Sequence, residues 1–438
     1  MSSKTKTTAT TEAVTPARVP KLRFPEFRGA EGWKLAPLSQ LATRTKQKNR
    51  DEKITRVLTN SAEFGVMDQR DFFNKEIATQ GNLESYFVVE LGSYVYNPRI
   101  SATAPVGPIS KNKVGTGVMS PLYTVFKFKD GGNDFYEHYF KTTGWHTYIR
   151  QASSTGARHD RMAISSDDFM AMPLPVPTPK EQQKIAECLS SVDELIAAQA
   201  RKVDALKTHK KGLMQQLFPT EGETQPRLRF PEFQNAGEWV VKPFGEIFPI
   251  TSSKRVHESD WTPTGVPFYR AREIVALNKR EPIQPLFISE ELYAAYSKQT
   301  GEIRDGHLLV TGVGSIGVPY LVRAGDRFYF KDGNIIWLKN DGKELSGEFL
   351  LRLYETDYVQ KQLKAMADVG TVATYTIDNA KRTLAAFPRA KVEQHRIASC
   401  LSSLDALITL ETQKLDALKT HKKGLMQQLF PSPEEVEV

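Results

Sequence analysis

Cysteine is almost missing from this sequence: Cys188 and Cys400 are the only two in 438 residues. That excludes a disulfide scaffold and fits a reducing compartment. No C-x-x-C or comparable spacing offers a metal site. Long apolar runs are missing too. No stretch approaches the ~20 residues that a membrane helix needs, which excludes a helix-spanning protein. There is no Walker A sequence, no H-E-x-x-H and no nucleophile elbow, so no catalytic constellation presents itself. Neither sign of charge dominates. The 59 Lys+Arg against 51 Asp+Glu give a net charge of +8, which permits a nucleic-acid partner without demanding one. What remains is an ordinary globular composition, 40% hydrophobic and 25% charged, on a chain long enough for about two to four domains. Residues 1–20 are rich in Thr and Ser and nearly free of large apolar side chains, so a flexible tail is expected there, and another at 432–438.

The chain is written twice. Residues 21–27 read KLRFPEF and residues 227–233 read RLRFPEF, each followed by a Trp and a Pro (Trp33 and Pro37, Trp239 and Pro243). Further on, residues 204–219 and 416–431 are the same sixteen residues, DALKTHKKGLMQQLFP. Glu181, Gln182, Ile185, Cys188 and Asp193 recur upstream as Glu393, Gln394, Ile397, Cys400 and Asp405. Between these ends, residues 38–177 and 244–388 give only faint echoes, such as 156–164 beside 370–377. A like frame thus surrounds unlike contents, the pattern expected of a protein that reads two different things with two variable modules.

The frame is helical. Ile185, Leu189, Val192, Ile196, Val203, Leu206, Leu213 and Leu217 fall on alternating four- and three-residue steps, broken at Gln199 and Lys210. The second copy gives Ile397, Leu401, Leu404, Ile408, Leu415, Leu418, Leu425 and Leu429, broken at Glu411 and Lys422. This is coiled-coil spacing. Thr178, Pro179 and Glu181 supply a cap, a first-turn proline and a capping-box acid, whereas the second copy has Ala390 at its cap position. Pro219 and Pro431 end the helices. Each would extend roughly 57 Å, and neither can hide its stripe alone. An antiparallel pairing of the two is expected, because the second module must bring the chain back.

The modules, 21–177 and 220–388 with a short linker at 220–229, read as mixed α/β. Strands are expected at 86–90, 94–96, 123–128, 307–311, 320–323 and 335–338, and a helix at 347–367. Basic residues cluster in the intervening loops. In the first module the candidates for DNA contact are Arg44, Lys46, Lys48, Arg99, Lys111, Lys113, Arg158, His159 and Arg161. In the second they are Lys254, Arg255, Arg270, Arg272 and Arg323. Such side chains suit phosphate neutralisation and base-edge reading. Residues 312–317 fit G-x-G-x-x-G, but another strand follows where a dinucleotide site needs a helix, so a tight inter-strand loop is expected. His209 and His421 read as structural or solvated, and the two cysteines as buried thiols beside seam leucines.

These residues together resemble the specificity subunit of Type I restriction–modification systems. The resemblance is carried by P-T-P-K-E-Q-Q-K-I-A at 177–186 with its helix, by the second copy around Glu393 and Gln394, by 265–270, by 306–310 with the glycine loop, and by 120–123. It implies an α+β fold with two target recognition domains (21–177 and 220–388) separated by two long helices (178–219 and 389–431) that pair as an antiparallel coiled coil. It also implies a non-catalytic cytoplasmic subunit with no cofactor of its own. Each recognition domain would read half of a split double-stranded DNA target, and the helices would set the gap and dock two modification subunits, which carry S-adenosylmethionine. Restriction subunits, with ATP and magnesium, would join them. Two other classes compete: a coiled-coil scaffold without a DNA role, and a fused methyltransferase–endonuclease.

Overall fold

Each half of the chain opens and closes on the same antiparallel strand pair. In the computed structural model, which describes residues 18–73, 83–130, 134–153, 160–367 and 373–431, strand Lys34–Pro37 lies against Pro173–Val176. Strand Val240–Pro243 lies against Leu384–Phe387 in the same way. The chain therefore leaves the frame and re-enters it at one place. Whatever is inserted between the paired strands can change without moving the frame.

The inserted modules share a topology that their sequences hide. The first holds a sheet in the order Ala42–Arg44, Thr124–Phe128, Tyr94–Tyr96, Ile109–Lys111. The second holds Ile250–Thr251, Ile335–Leu338, Leu308–Thr311, Pro319–Leu321, the same order of first, fourth, second and third strand. Every pairing in both sheets is antiparallel. The first module adds two hairpin-like pairs, Leu58–Ser61 with Gly65–Asp68 and Phe87–Val89 with Gly117–Met119. The second adds another four-stranded sheet around Val266–Tyr269. The glycine stretch is a loop between strands Leu308–Thr311 and Pro319–Leu321, as expected.

The long helices run Pro179–Leu217 and Lys391–Leu429. The chain divides into two compact units, Met1–Gln199 with Lys414–Val438, and Ala200–Gln413. Each unit contains one module and a segment of both helices, and in each the segments run antiparallel. In the first unit Ile185, Ala186 and Leu189 share a core with Leu429 and Phe430. In the second, Leu217 and Phe218 share one with Ile397, Ala398 and Leu401. All sixteen seam residues are buried or half-buried. The seam breaks are polar but not idle: Lys422 pairs with Asp193, Lys210 with Asp405 at 2.7 Å, and Glu411 with Lys202 at 2.6 Å.

Four expectations need correcting. The helix expected at 347–367 is two helices, Gly347–Tyr354 and Asp357–Met366, because Thr356 caps the second through its hydroxyl, which accepts from the Val359 N–H. Cys188 and Cys400 are half-exposed, at the edge of the seam. The N-terminal tail does not run to residue 20, since Arg18 and Trp33 exchange backbone hydrogen bonds. Finally, Glu181 does not complete a capping box. Thr178 accepts from the Glu181 N–H at 3.3 Å, but the Glu181 carboxylate is taken by Arg23.

Candidate nucleic-acid interface

The frame's charged residues form one clasp, built twice. The Arg23 guanidinium donates to both Glu181 carboxylate oxygens at 2.7 and 2.8 Å, and Arg229 donates to Glu393 at the same two distances. Both glutamates are 1% exposed. The remaining N–H groups of each arginine bind carbonyls at 30 and 31, or 236 and 237. The residue before each arginine holds the end of the other helix: the Leu22 N–H donates to the Gln428 carbonyl, and the Leu228 N–H to the Gln216 carbonyl, both at 2.9 Å. L-R-F-P-E-F is thus a brace joining the start of one long helix to the end of the other within each unit. A buried, fork-to-fork arginine–carboxylate pair is geometrically specific, which is why the motif is spelled alike twice.

On this frame the two modules present equivalent loops. The loop after the sheet's second strand in chain order spans 97–108 in the first module and 312–318 in the second. Each closes through a glycine in the left-handed region. At Gly107 a β-carbon would fall 2.0 Å from the Asn97 carbonyl oxygen, and at Gly317 it would fall 2.6 Å from Leu363. Each loop is also bridged by a later segment, Arg99 by Arg161 and Val313 by Thr374. The described parts of the faint echo, 160–164 and 373–377, therefore share one bridging arrangement, and its residues 156–159 and 370–372 lie outside the described residues.

The candidate residues separate by what they touch. Arg99 and Arg161 are brought together by this bridge, Arg99 exposed and Arg161 beside Asp160 at 3.6 Å. Arg158 and His159 lie outside the described residues. Lys46 and Lys48 are exposed on the segment after strand Ala42–Arg44 and, among the described residues, form no ion pair. Arg44 is half-buried with its Nε unpartnered. Lys254 donates to Gln299 and lies 4.9 Å from the Tyr296 ring, and Arg255 pairs with Asp332 at 2.9 Å. Others are paired with carboxylates of their own module. Lys111 pairs with Asp134, Lys113 with Glu137, and Arg323 with Glu348. Arg270 and Arg272 both bind Glu273, which is 4% exposed. A buried carboxylate between two arginines fixes the start of helix Ala271–Lys279 and leaves less charge for an outside partner. Lys141 and Arg150 are further exposed cations of the first module, each standing alone in the sequence rather than in a basic cluster.

Among the described residues, no group of three or more His, Cys, Asp and Glu is placed to hold a metal ion, and no helix is long and apolar enough to cross a membrane.

Comparison with known proteins agrees with this architecture. Residues 236–420 match the family described as Type I restriction modification DNA specificity domain. The chain is 25% identical over 284 residues to a Haemophilus influenzae protein named as a type I restriction enzyme specificity subunit, covering 65% of this chain and 67% of that one. It is 25% identical over 290 residues to the MjaVIII specificity subunit of Methanocaldococcus jannaschii, covering 64% and 65%. The alignments thus span about two thirds of these relatives. The fold is similar to that of the S subunit of a Type I system from M. genitalium, with a TM-score of 0.54 and 15% identity over 94% of this chain and 99% of that one. A chain from a study of Type I complex assembly gives a TM-score of 0.56 at 15% identity, covering 91% and 98%. With a frame written twice, a matching family domain over residues 236–420 and these relatives, the chain is similar to the specificity subunits of Type I restriction–modification systems.

Proposed function

We propose that each module reads one half of a split double-stranded DNA target, that the long helices fix the gap between the halves, and that the repeated frame docks two copies of a modification subunit. The observation that carries this is the paired arginine–glutamate clasp, built in two places, around modules that share a sheet topology but not a sequence. Like frames present like surfaces to two copies of one partner, and unlike modules present unlike loops to two DNA sequences.

The docking half of the proposal has its own support. Seam packing accounts for the leucines of DALKTHKKGLMQQLFP, but not for its exposed positions. Lys207, His209, Lys211 and Gln215 are exposed in one copy, and Lys419, His421, Lys423 and Gln427 in the other. Solvated positions have little packing reason to stay identical, so a common partner is the economical cause. In this reading the chain is a cytoplasmic, non-catalytic subunit. S-adenosylmethionine belongs to the modification subunits, and ATP and magnesium to restriction subunits that join the complex.

The ruler is testable directly. Inserting one heptad into both helices adds roughly 10 Å, about three base pairs of duplex. Methylation mapping should then report a longer gap between unchanged half-sites. A changed half-site sequence with an unchanged gap would refute the ruler.

A further inference from the structure

The first module carries a feature that the clasp and the loop comparison leave unused. Strands Leu58–Ser61 and Gly65–Asp68 form a hairpin whose tip holds Phe64, 64% exposed, the most exposed phenylalanine among the described residues. The tip is rigid. The Ser61 hydroxyl accepts from the N–H groups of Glu63 and Phe64 at 3.2 and 3.3 Å. The base of the hairpin is tied to the sheet, because the Asn60 amide donates to the Val95 and Pro108 carbonyls, and Asn97 donates back to the Asn60 carbonyl at 2.9 Å.

That tip lines a cavity of about 780 Å³ that Lys113, Lys141 and Arg150 also line, together with Lys111, which is paired with Asp134. Glu137 lies between the two lysines, 2.8 Å from Lys113 and 3.5 Å from Lys141, and neutralises only one of them. Arg150 is exposed and, among the described residues, forms no ion pair. Glu63 at the tip is the other carboxylate on the lining. An exposed aromatic on the same open cavity as surplus positive charge suits a polyanion that also offers flat apolar faces. A protein partner would supply the second without the first.

We propose that Phe64 is an apolar wedge that enters the base stack of the half-site read by the first module, while Lys141 and Arg150 hold the phosphates beside it. Inserted apolar side chains unstack a base step and bend the duplex, and the cost depends on the sequence unstacked. Phe64 would thereby contribute to specificity without a hydrogen bond to any base. This rests on the DNA-reading function proposed above.

The test uses the full chain in complex with its modification subunit, and duplexes carrying 2-aminopurine at successive positions of the methylated half-site. Wild-type complex should raise the fluorescence at one step, and Phe64→Ala should abolish that rise and weaken cognate binding by about tenfold, with non-specific binding unchanged. Phe64→Trp should restore both. Lys141→Gln and Arg150→Gln should weaken cognate and non-specific DNA alike, each reducing the salt slope by about one. Cognate affinity and fluorescence unaffected by Phe64→Ala would overturn the wedge and leave the DNA-reading function standing. A wild-type complex with no sequence-specific binding would instead overturn that function, and the wedge with it.

Discussion

The same two frame residues meet different company in the two units. In the first, Asp193 pairs with Lys422, and the module contributes His138, whose Nε2 lies 3.2 Å from the Ser190 hydroxyl and whose Nδ1 lies 4.0 Å from Asp193. In the second, the equivalent Asp405 pairs with Lys210, and the module contributes Arg352, 2.6 Å from Asp405 and 3.1 Å from the Ser402 hydroxyl. His138 and Arg352 hold one structural position. Each follows by three residues a phenylalanine, Phe135 or Phe349, that packs on the frame's Trp33 and Phe430 or Trp239 and Phe218. Burial, with Lys141 and Lys422 nearby, pushes the His138 imidazole down to about 4, so at neutral pH it is uncharged where Arg352 is a cation. The frame therefore dictates where a module side chain docks, and the module chooses its charge. The second unit balances that extra cation with Glu355, 2.9 Å from Arg352.

Breaking what the units share should have the largest effect, and the same effect twice. Arg23→Ala and Arg229→Ala each strand a buried glutamate, and each should destabilise its own unit by about 3–5 kcal/mol. Denaturant melts with hydrogen exchange to locate the loss would check this. Unequal losses would mean that the two clasps are not equivalent.

Breaking what differs should separate the units. Asp405→Ala leaves Lys210 and the buried Arg352 facing only Glu355, at a cost of about 3 kcal/mol or more. Asp193→Ala leaves Lys422 beside a neutral imidazole. Because Asp193 is 39% exposed, that loss should be about 1 kcal/mol. The same melts read both. Equal losses would show that the module's charge does not matter to the frame.

Acid should act on both units, and only partly at mildly acidic pH. Burial also pushes His307 in the second unit down to about 4, so each unit holds a histidine that binds a proton more readily when unfolded. Stability should therefore be full above pH 6.5 and fall as the pH drops towards 4, by up to about 3 kcal/mol per histidine. His138→Gln should weaken the pH dependence of the first unit, where burial also pushes the His146 imidazole down, and leave that of the second unchanged.

Much of the frame was legible in the sequence, because helical periodicity is local. The seam leucines, both helix ends and strands such as Tyr94–Tyr96 and Ile335–Leu338 follow from neighbouring residues. What escaped depends on partners far along the chain. Arg23 lies 158 residues from Glu181, and strand Lys34–Pro37 meets Pro173–Val176, where prolines at both ends mask a strand pattern. The equivalence of His138 and Arg352 has no sequence signal beyond an aromatic three residues earlier. For the candidate interface, the sequence reading named Lys46, Lys48 and Arg99, which form no ion pair among the described residues, alongside Arg270, Arg272 and Arg323, which pair with carboxylates of their module. Charge alone does not say which carboxylate an arginine has already found.

The central claim is that unlike modules in a like frame read two independent half-sites. A methylation map tests it most directly, in a host making the modification subunit with no specificity chain, with this chain, or with this chain after residues 21–177 are exchanged for those of a relative. The account predicts a split motif with a fixed gap only when the chain is present, and a change in one half alone after the exchange. Identical maps with and without the chain, both proteins being made and complexed, or an exchange that alters both halves, would contradict it.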